Sequence, residues 1–323
     1  MMMIAALAVT ALLRGGAPSF VDAPVRSHMA FSHCTADAAP EGAHPADNAG
    51  VVPPLPNGLA LELQGLGHSR AGVGGRVWAA ASRMCDFLQA EADSLRARTV
   101  LELGSGTGAC GIYAAGLGAA RVLLTDGGPP ALIELLGHNV EANSQIFERA
   151  EVEVRELRWG EDTNERASAM AAGVDWVIGS DLTYDWEGND ELCVTLRALL
   201  DGAEGVGMKI VLCEEHGAPA PLNGSGSGYG LPFSRSGLFA RKDAPLVTED
   251  QTGGSRFIDE GLEDFSRIAA DHGLSVTPFE PTPGEPPPSW RPVPHRSWQM
   301  ADFMNGETFL MEVALQEDAA QQV

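Results

Sequence analysis

The sequence predicts an α/β fold built around a mostly parallel β-sheet. Between residues 98 and 213, short apolar segments typical of strands alternate with longer amphipathic segments typical of helices. Strands that alternate with helices join into a parallel sheet through right-handed crossover connections. The chain has 323 residues and is 44% hydrophobic, so it can bury a sizeable core in one large domain.

The predicted strands are short and rich in leucine, isoleucine and valine. They cover residues 59–63, 100–103, 121–126, 152–157, 174–180, 209–213 and 308–315. The predicted helices cover residues 78–88, 109–117, 133–144, 191–200 and 257–272. We expect the last strand, at 308–315, to run antiparallel to its neighbours at or near one edge of the sheet.

Three segments outside this alternation have compositions typical of irregular chain. Residues 1–57 are rich in alanine, proline, glycine and histidine, which predicts a flexible arm. Its apolar start, residues 1–13, is a candidate targeting segment, although it is too short to span a bilayer as a helix. Residues 217–255 predict a long loop insertion. We therefore expect one domain over residues 58–315, followed by a tail at 316–323.

Charge and cysteine usage restrict the classes of partner. The net charge of −23 predicts repulsion of nucleic acid and of anionic membranes, and attraction of cationic partners. The cysteines contain no C-x-x-C pair, which argues against a zinc site, and their scattered spacing argues against a disulfide framework. They are Cys34, Cys85, Cys110, Cys193 and Cys213. We predict a cytoplasmic monomer that holds no metal.

A glycine-rich loop follows the strand at 100–103 and opens the next helix. It reads LELGSGTGACG over residues 101–111, and both 104–109 and 106–111 fit the dinucleotide fingerprint G-x-G-x-x-G/A. Glycines let the backbone approach a ligand closely, and the helix start offers free N–H groups. Asp126 ends the second strand, where a carboxylate can accept hydrogen bonds from ribose hydroxyls. The pattern predicts a Rossmann-like site for either a nicotinamide dinucleotide or S-adenosyl-L-methionine.

Glu102 favours S-adenosyl-L-methionine over a dinucleotide. It is an acidic residue at the end of an otherwise apolar strand, just before the first glycine of the loop. A carboxylate at this position suits a cofactor that carries an ammonium and a sulfonium, and it disfavours a pyrophosphate. We therefore include Glu102 among the predicted cofactor contacts.

Five segments, in order, resemble the seven-β-strand protein-lysine methyltransferases, which include enzymes acting on calmodulin, elongation factors and chaperones. The segments are GRVWAA at 75–80, VLELGSGTG at 100–108, LLTD at 123–126 with NVEAN at 139–143, LRWG at 157–160, and DWVIGSDLTY at 175–184. The resemblance is good over residues 58–215 and weak over 255–315. It implies a Rossmann-like, seven-stranded, mostly parallel sheet with helices on both faces.

The resemblance also implies roles for individual residues. Asp181 and Tyr184, in the D-x-x-Y motif, should lie where the methyl group meets its acceptor. Together with Glu102, the predicted contacts to S-adenosyl-L-methionine are Trp78, Gly104, Ser105, Gly106, Asp126, Trp159 and Ser180. Trp159 follows the third strand at the carboxyl edge, where ligands of open α/β sheets collect and a flat ring can cover adenine.

The predicted function is methylation of a lysine side chain, in a basic setting, on a non-histone protein. Arginine, histidine and small molecules remain alternative acceptors, because the sequence departs from the family where relatives contact the acceptor. At 214–216 it reads EEH, whereas many relatives carry a basic residue near a glutamate, and the insertion at 217–255 is atypical. A dinucleotide-dependent oxidoreductase and a non-catalytic binding module are further alternatives, which the DLTY run at 181–184 disfavours.

Overall fold

The computed structural model describes residues 40–46, 52–147, 149–160, 164–183, 186–203, 207–215, 248–249, 255–256, 260–281, 290–292 and 308–316. Its central feature is one large sheet. The strands are β1 (Thr99–Leu103), β2 (Arg121–Asp126), β3 (Glu151–Glu156), β4 (Trp176–Ser180), β5 (Lys209–Glu215), β6 (Leu274–Pro281), β7 (Trp290–Pro292) and β8 (Thr308–Leu315). Their order across the sheet is β7-β6-β8-β5-β4-β1-β2-β3.

The strand directions confirm the predicted mostly parallel, Rossmann-like sheet. Strands β3, β2, β1, β4 and β5 pair in parallel in that order. Strand β8 is antiparallel to both of its neighbours, β5 and β6, and it lies third from one edge. The sheet thus has seven longer strands, with β6 in place of the predicted strand at 59–63, and the three-residue strand β7 adds an eighth at the edge. The prediction of a strand at 59–63 is wrong, because the backbone of Glu62 bonds to the Asn143 side chain and not to a neighbouring strand.

Helices cover both faces of the sheet, as predicted. They are α1 (Ala79–Ala90), α2 (Ala109–Leu117), α3 (Pro130–Ala142), α4 (Asn164–Met170), α5 (Trp186–Gly202) and α6 (Glu260–Asp271). One buried cluster joins α1 and α2 to the sheet and contains Phe87 and Tyr113. The cluster on the other face joins α4, α5 and α6 and contains Leu196 and Phe265. None of the helices described is long and apolar enough to cross a membrane.

Strand β6 is absent from the sequence prediction, which assigned residues 278–294 to a proline-rich connection. Pro278 and Pro281 explain the difference, because proline cannot donate to a sheet and disfavours strand interiors. In the structure Pro278 is paired with Met311 of β8, whereas the pairing of β6 with β7 begins only at Phe279. Pro278 therefore lies where the strand has a partner on one side.

Part of the segment before residue 58 packs on the domain. Ala46, Val52 and Leu55 are buried in the same cluster as α1 and α2. His44–Pro45 also pairs with Gln64–Gly65 in a short antiparallel ladder. These residues fall within the predicted arm, so the described part of that arm contributes to the core. The predicted domain boundary at residue 58 stays a prediction. Of the predicted insertion at 217–255, only 248–249 and 255 fall inside the described residues.

Candidate cofactor and acceptor site

The carboxyl ends of four neighbouring strands bring the predicted site residues to one edge of the sheet. The glycine loop follows β1, Asp126 ends β2, Asp181 follows β4, and Glu214 lies near the end of β5. These strands pair in parallel in the order β2-β1-β4-β5, so their carboxyl ends face the same way. Ligands of open α/β sheets bind in the crevice outside this edge.

The glycine loop needs glycine because of its backbone angles and its close neighbours. Gly104, Gly106 and Gly108 have φ values of +56°, +54° and +84°, in the region that side chains disfavour. A Cβ atom on Gly106 would lie 2.8 Å from the carbonyl oxygen of Gly74. The loop therefore packs directly against the segment that precedes α1.

Ser105 fastens this loop to β2. Its N–H donates to the Thr125 carbonyl at 2.9 Å, and its hydroxyl oxygen accepts from the Thr125 N–H at 3.0 Å. The hydroxyl also donates to the Glu102 carbonyl at 3.4 Å. The described contacts of Ser105 are thus with the protein, and its contact with the cofactor stays a prediction.

Asp126 holds the loop and keeps acceptor capacity for a ligand. Its Oδ2 accepts from the Gly106 N–H at 2.9 Å, and its Oδ1 accepts from the Gly128 N–H at 2.8 Å. Burial raises the pKa of the Asp126 carboxyl, and the backbone N–H donors oppose that shift. Gly127 is a third backbone donor to this carboxyl group. A carboxylate has about four lone-pair positions, so room remains for a hydrogen bond from a ribose hydroxyl.

Glu102 lies beneath the loop and faces helix α2. Strand alternation directs its side chain to the face of Val100, which belongs to the cluster beneath α1 and α2. Its Oε2 accepts from the Gly111 N–H at 3.1 Å, and a Cβ atom on Gly111 would lie 2.7 Å from that oxygen. Burial raises the pKa of Glu102 to about 8, so its carboxyl is mainly protonated at neutral pH. The predicted contact of this carboxylate with the cofactor's positive charge therefore stays a prediction.

The two predicted tryptophans occupy different sides of the glycine loop. Trp159 is half-buried, and its Cζ2 would lie 3.3 Å from a Cβ atom on Gly104. Trp78 is also half-buried; its Nε1 donates to the Val73 carbonyl at 3.0 Å, and the Arg76 guanidinium lies 4.8 Å from its ring centroid. Trp159 therefore borders the first glycine of the loop, whereas Trp78 fixes the turn before α1.

The chain turns sharply after β4, at Asp181. This residue is buried and has a φ of +57°, an uncommon conformation for a residue other than glycine. Ser180, just before it, has its hydroxyl 3.7 Å from the Cys110 sulfur. The following side chain, Leu182, would lie 2.6 Å from a Cβ atom on Gly104. Leu182, next to Asp181, thus packs on the glycine loop. The role of Asp181 at the methyl acceptor stays a prediction, and Tyr184 lies outside the described residues.

Asn139 of α3 and Asn143, the residue just after α3, support the site, and the sequence analysis assigned no role to either of them or to Glu214. The side-chain oxygens of Asn139 and Asn143 accept from the N–H groups of Gln64 and Glu62, each at 2.9 Å. Their amide nitrogens donate to the carbonyls of the same two residues. The i, i+4 spacing, which places both on one face of α3, was the available signal.

Asn139 also connects this clamp to the glycine loop. Its Nδ2 donates to the Thr107 carbonyl at 2.9 Å, and the side chain is fully buried. The clamped residues 62–64 lead into the segment at 72–78 that contacts Gly106. One helix therefore holds both the glycine loop and the chain that faces it.

A Rossmann-like sheet with a glycine loop after its first strand and an acid ending the second is the architecture of nucleotide-cofactor-binding domains. Within that class, residues 59–216 match the family model described as lysine methyltransferase. The chain is 39% identical over 133 residues to protein N-lysine methyltransferase METTL21A of Danio rerio, covering 41% of this chain and 58% of the relative. It is 36% identical over 150 residues to EEF1A lysine methyltransferase 3 of Mus musculus, covering 46% and 61%.

A third relative is protein-lysine N-methyltransferase EFM3 of Chaetomium thermophilum, 31% identical over 165 residues, covering 50% of this chain and 48% of the relative. The matches thus span about half of each relative, from 48% to 61%. Together with the family model over residues 59–216, they confirm the predicted resemblance to the protein-lysine methyltransferases.

Proposed function

We propose that this protein is an S-adenosyl-L-methionine-dependent methyltransferase that acts on a lysine side chain of a non-histone protein. The observation that carries the proposal is the position of Asp181. This acidic residue is buried beside the glycine loop, at the carboxyl edge of the sheet, within the segment that matches the lysine methyltransferase family. The names of the relatives support a protein lysine as the acceptor.

The residues present fit the proposed cofactor. Asp126 retains acceptor positions for ribose hydroxyls, the left-handed glycines allow close approach, and Trp159 offers a flat ring beside Gly104. Trp78 and Ser180 complete the predicted contacts. When bound, S-adenosyl-L-methionine supplies an electrophilic methyl group on a sulfonium.

On the acceptor side, we assign Asp181 the task of drawing in and holding the lysine amine. A lysine ammonium has a reference pKa of about 10.4, and it must lose its proton before the nitrogen can attack. Burial beside a sulfonium would lower the pKa of the lysine, so that its proton could pass to solvent. The Asp181 carboxyl would then orient the neutral nitrogen by a hydrogen bond, the N–CH₃ bond would form as the S–CH₃ bond breaks, and S-adenosylhomocysteine would leave. Alignment of the nitrogen supplies much of the rate. By resemblance, Tyr184 lines the same approach.

Calorimetry with three ligands tests the cofactor assignment directly. We expect S-adenosyl-L-methionine and S-adenosylhomocysteine to bind, and NAD not to bind. Tight binding of NAD without binding of S-adenosylhomocysteine would favour the oxidoreductase alternative and reject the proposal. Binding of S-adenosylhomocysteine without methyl transfer to any acceptor would favour a binding module.

The acidic surface suggests the setting of the acceptor. A net charge of −23 attracts cationic partners, which supports a lysine that lies among other basic residues. The same charge disfavours nucleic acid and anionic membranes as partners. We further propose that the protein acts as a cytoplasmic monomer.

A further inference from the structure

Three consecutive backbone N–H groups after β4 donate hydrogen bonds to β5. The Asp181 N–H donates to the Cys213 carbonyl at 2.8 Å. The Leu182 N–H donates to Glu214 Oε1 at 3.0 Å, and the Thr183 N–H donates to Glu214 Oε2 at 3.3 Å. The two oxygens of a single carboxyl group therefore bind adjacent amides of the loop that carries Asp181.

Glu214 is almost fully buried, with 1% of its surface exposed. Burying a carboxyl group is costly unless hydrogen bonds satisfy it. Its neighbours on β5, Leu212 and Cys213, are also fully buried, so an apolar side chain would suit this part of the sheet. The bonds to Leu182 and Thr183 give a physical reason for an acidic residue at this position.

The loop bound by Glu214 contains a backbone conformation that needs support from its surroundings. A φ of +57° is uncommon for a residue other than glycine, and it persists where the surroundings enforce it. Leu182 packs closely on two glycines, since a Cβ atom on Gly179 or Gly104 would lie 2.4 or 2.6 Å from its methyl groups. The turn at Asp181 is therefore fixed from β5 by hydrogen bonds and from the glycine loop by packing.

We propose that Glu214 is a positioning residue for methyl transfer, a role that rests on the function proposed above. It acts through the backbone of residues 181–183, and it keeps the Asp181 carboxyl at the place where the acceptor nitrogen must be aligned. Because Glu214 bonds to the backbone of Leu182 and Thr183, we expect its replacement to slow transfer much more than it weakens cofactor binding.

The variant Glu214→Gln tests this role with minimal change of shape. The amide keeps one acceptor oxygen and replaces the other with a donor, so one of the two backbone N–H groups loses its acceptor. We expect kcat to fall by on the order of 10-fold or more, with affinity for S-adenosylhomocysteine within about 3-fold of the parent protein. Glu153→Gln is the matched control, because Glu153 lies on β3 and bonds to Arg121 and Arg155.

A double-variant cycle with Asp181→Asn separates positioning from general damage. If Glu214 acts through Asp181, the double variant transfers methyl groups no more slowly than the slower single variant. Losses that multiply, or a loss of S-adenosylhomocysteine affinity as large as the loss of kcat, would overturn the proposal.

Amide hydrogen exchange tests the hydrogen bonds without any assay of activity. In the parent protein the Leu182 and Thr183 amides should exchange slowly, and in Glu214→Gln their exchange should accelerate while the strands stay protected. Fast exchange at both amides in the parent protein overturns the positioning role, even if the variant does not fold. Protection at 181–183 in a protein that transfers no methyl group would reject the proposed function and retain the hydrogen-bonding role.

Discussion

At the scale of single residues, Asp126 holds the glycine loop and is the residue proposed to bind the ribose of the cofactor. Its carboxyl group accepts from the N–H groups of Gly106 and Gly128. We expect Asp126→Ala to weaken S-adenosyl-L-methionine binding by about 1–3 kcal/mol, because both the loop bonds and the ribose bonds are lost. Calorimetry measures the change, and Asp201→Ala is the control, since Asp201 forms an exposed pair with Arg197. Equal affinity in the Asp126 variant would contradict the assignment.

Glu102 predicts a specific dependence of stability on pH. Burial raises its pKa from 4.5 to about 8, so the folded state binds this proton more tightly than the unfolded state does. The resulting stabilisation is fully present below about pH 4.5 and is lost as the pH rises through about 8. Glu102→Gln mimics the protonated form, so its melting temperature should rise relative to that of the parent protein as the pH increases from about 5 to about 8. If the melting temperatures of the two proteins changed equally with pH over this range, the raised pKa of Glu102 would be refuted.

The sequence predicted the positions of some of these residues and missed others. The positions of Asp126 and Asp181 at the carboxyl edge were predictable, because each follows or ends an apolar strand. The bond of Glu102 to Gly111 was not, because it depends on how α2 packs against the strand. The bonds of Glu214 could not be predicted from local sequence, because they form only when β5 lies next to β4. In the sequence, residues 214–216 were noted only as a departure from the family.

At the scale of elements, helix α3 acts as a clamp on the chain that faces the glycine loop. Asn139 and Asn143 both bind the backbone of residues 62–64, but only Asn139 also binds the Thr107 carbonyl. We expect Asn139→Ala and Asn143→Ala each to lower the free energy of unfolding by about 1–3 kcal/mol, because buried backbone groups lose their hydrogen-bond partners.

Cofactor affinity should distinguish these two variants. Only Asn139→Ala releases the glycine loop, so only this variant should weaken S-adenosylhomocysteine binding substantially. Denaturant unfolding and calorimetry on both proteins check the two effects separately. Equal affinities in the two variants would show that the link to Thr107 does not position the loop.

The order of elements was largely readable from periodicity, although the prediction missed α4, β6 and β7 and placed a strand at 59–63 that does not form. The run from β1 through α2 to β2 follows the predicted boundaries closely, because local turn chemistry and hydrophobic spacing agree there. Strand β6 was missed because Pro278 and Pro281 outweigh its apolar residues in any local reading. Pairing with β8, which lies more than thirty residues further along the chain, forms that strand.

At the scale of the whole molecule, the net charge of −23 predicts that salt weakens activity on a protein acceptor. Long-range attraction between the acidic surface and a basic acceptor is screened as the Debye length shortens below about 10 Å. We expect kcat/KM to fall as NaCl rises from about 50 to about 300 mM, while kcat at saturating acceptor changes little. A kcat/KM that does not respond to salt would exclude recruitment by charge.

The central claim is that this protein transfers a methyl group to a lysine of another protein, and that Asp181 holds the acceptor nitrogen. The most direct measurement incubates the protein with isotopically labelled S-adenosyl-L-methionine and a cell extract, and locates the label by mass spectrometry. We predict a labelled protein with the methyl group on a lysine nitrogen, and labelling slowed by on the order of 100-fold in Asp181→Asn, whose S-adenosylhomocysteine affinity stays within about a few-fold. Label found only in small molecules, or full activity in the Asp181→Asn variant, would contradict it.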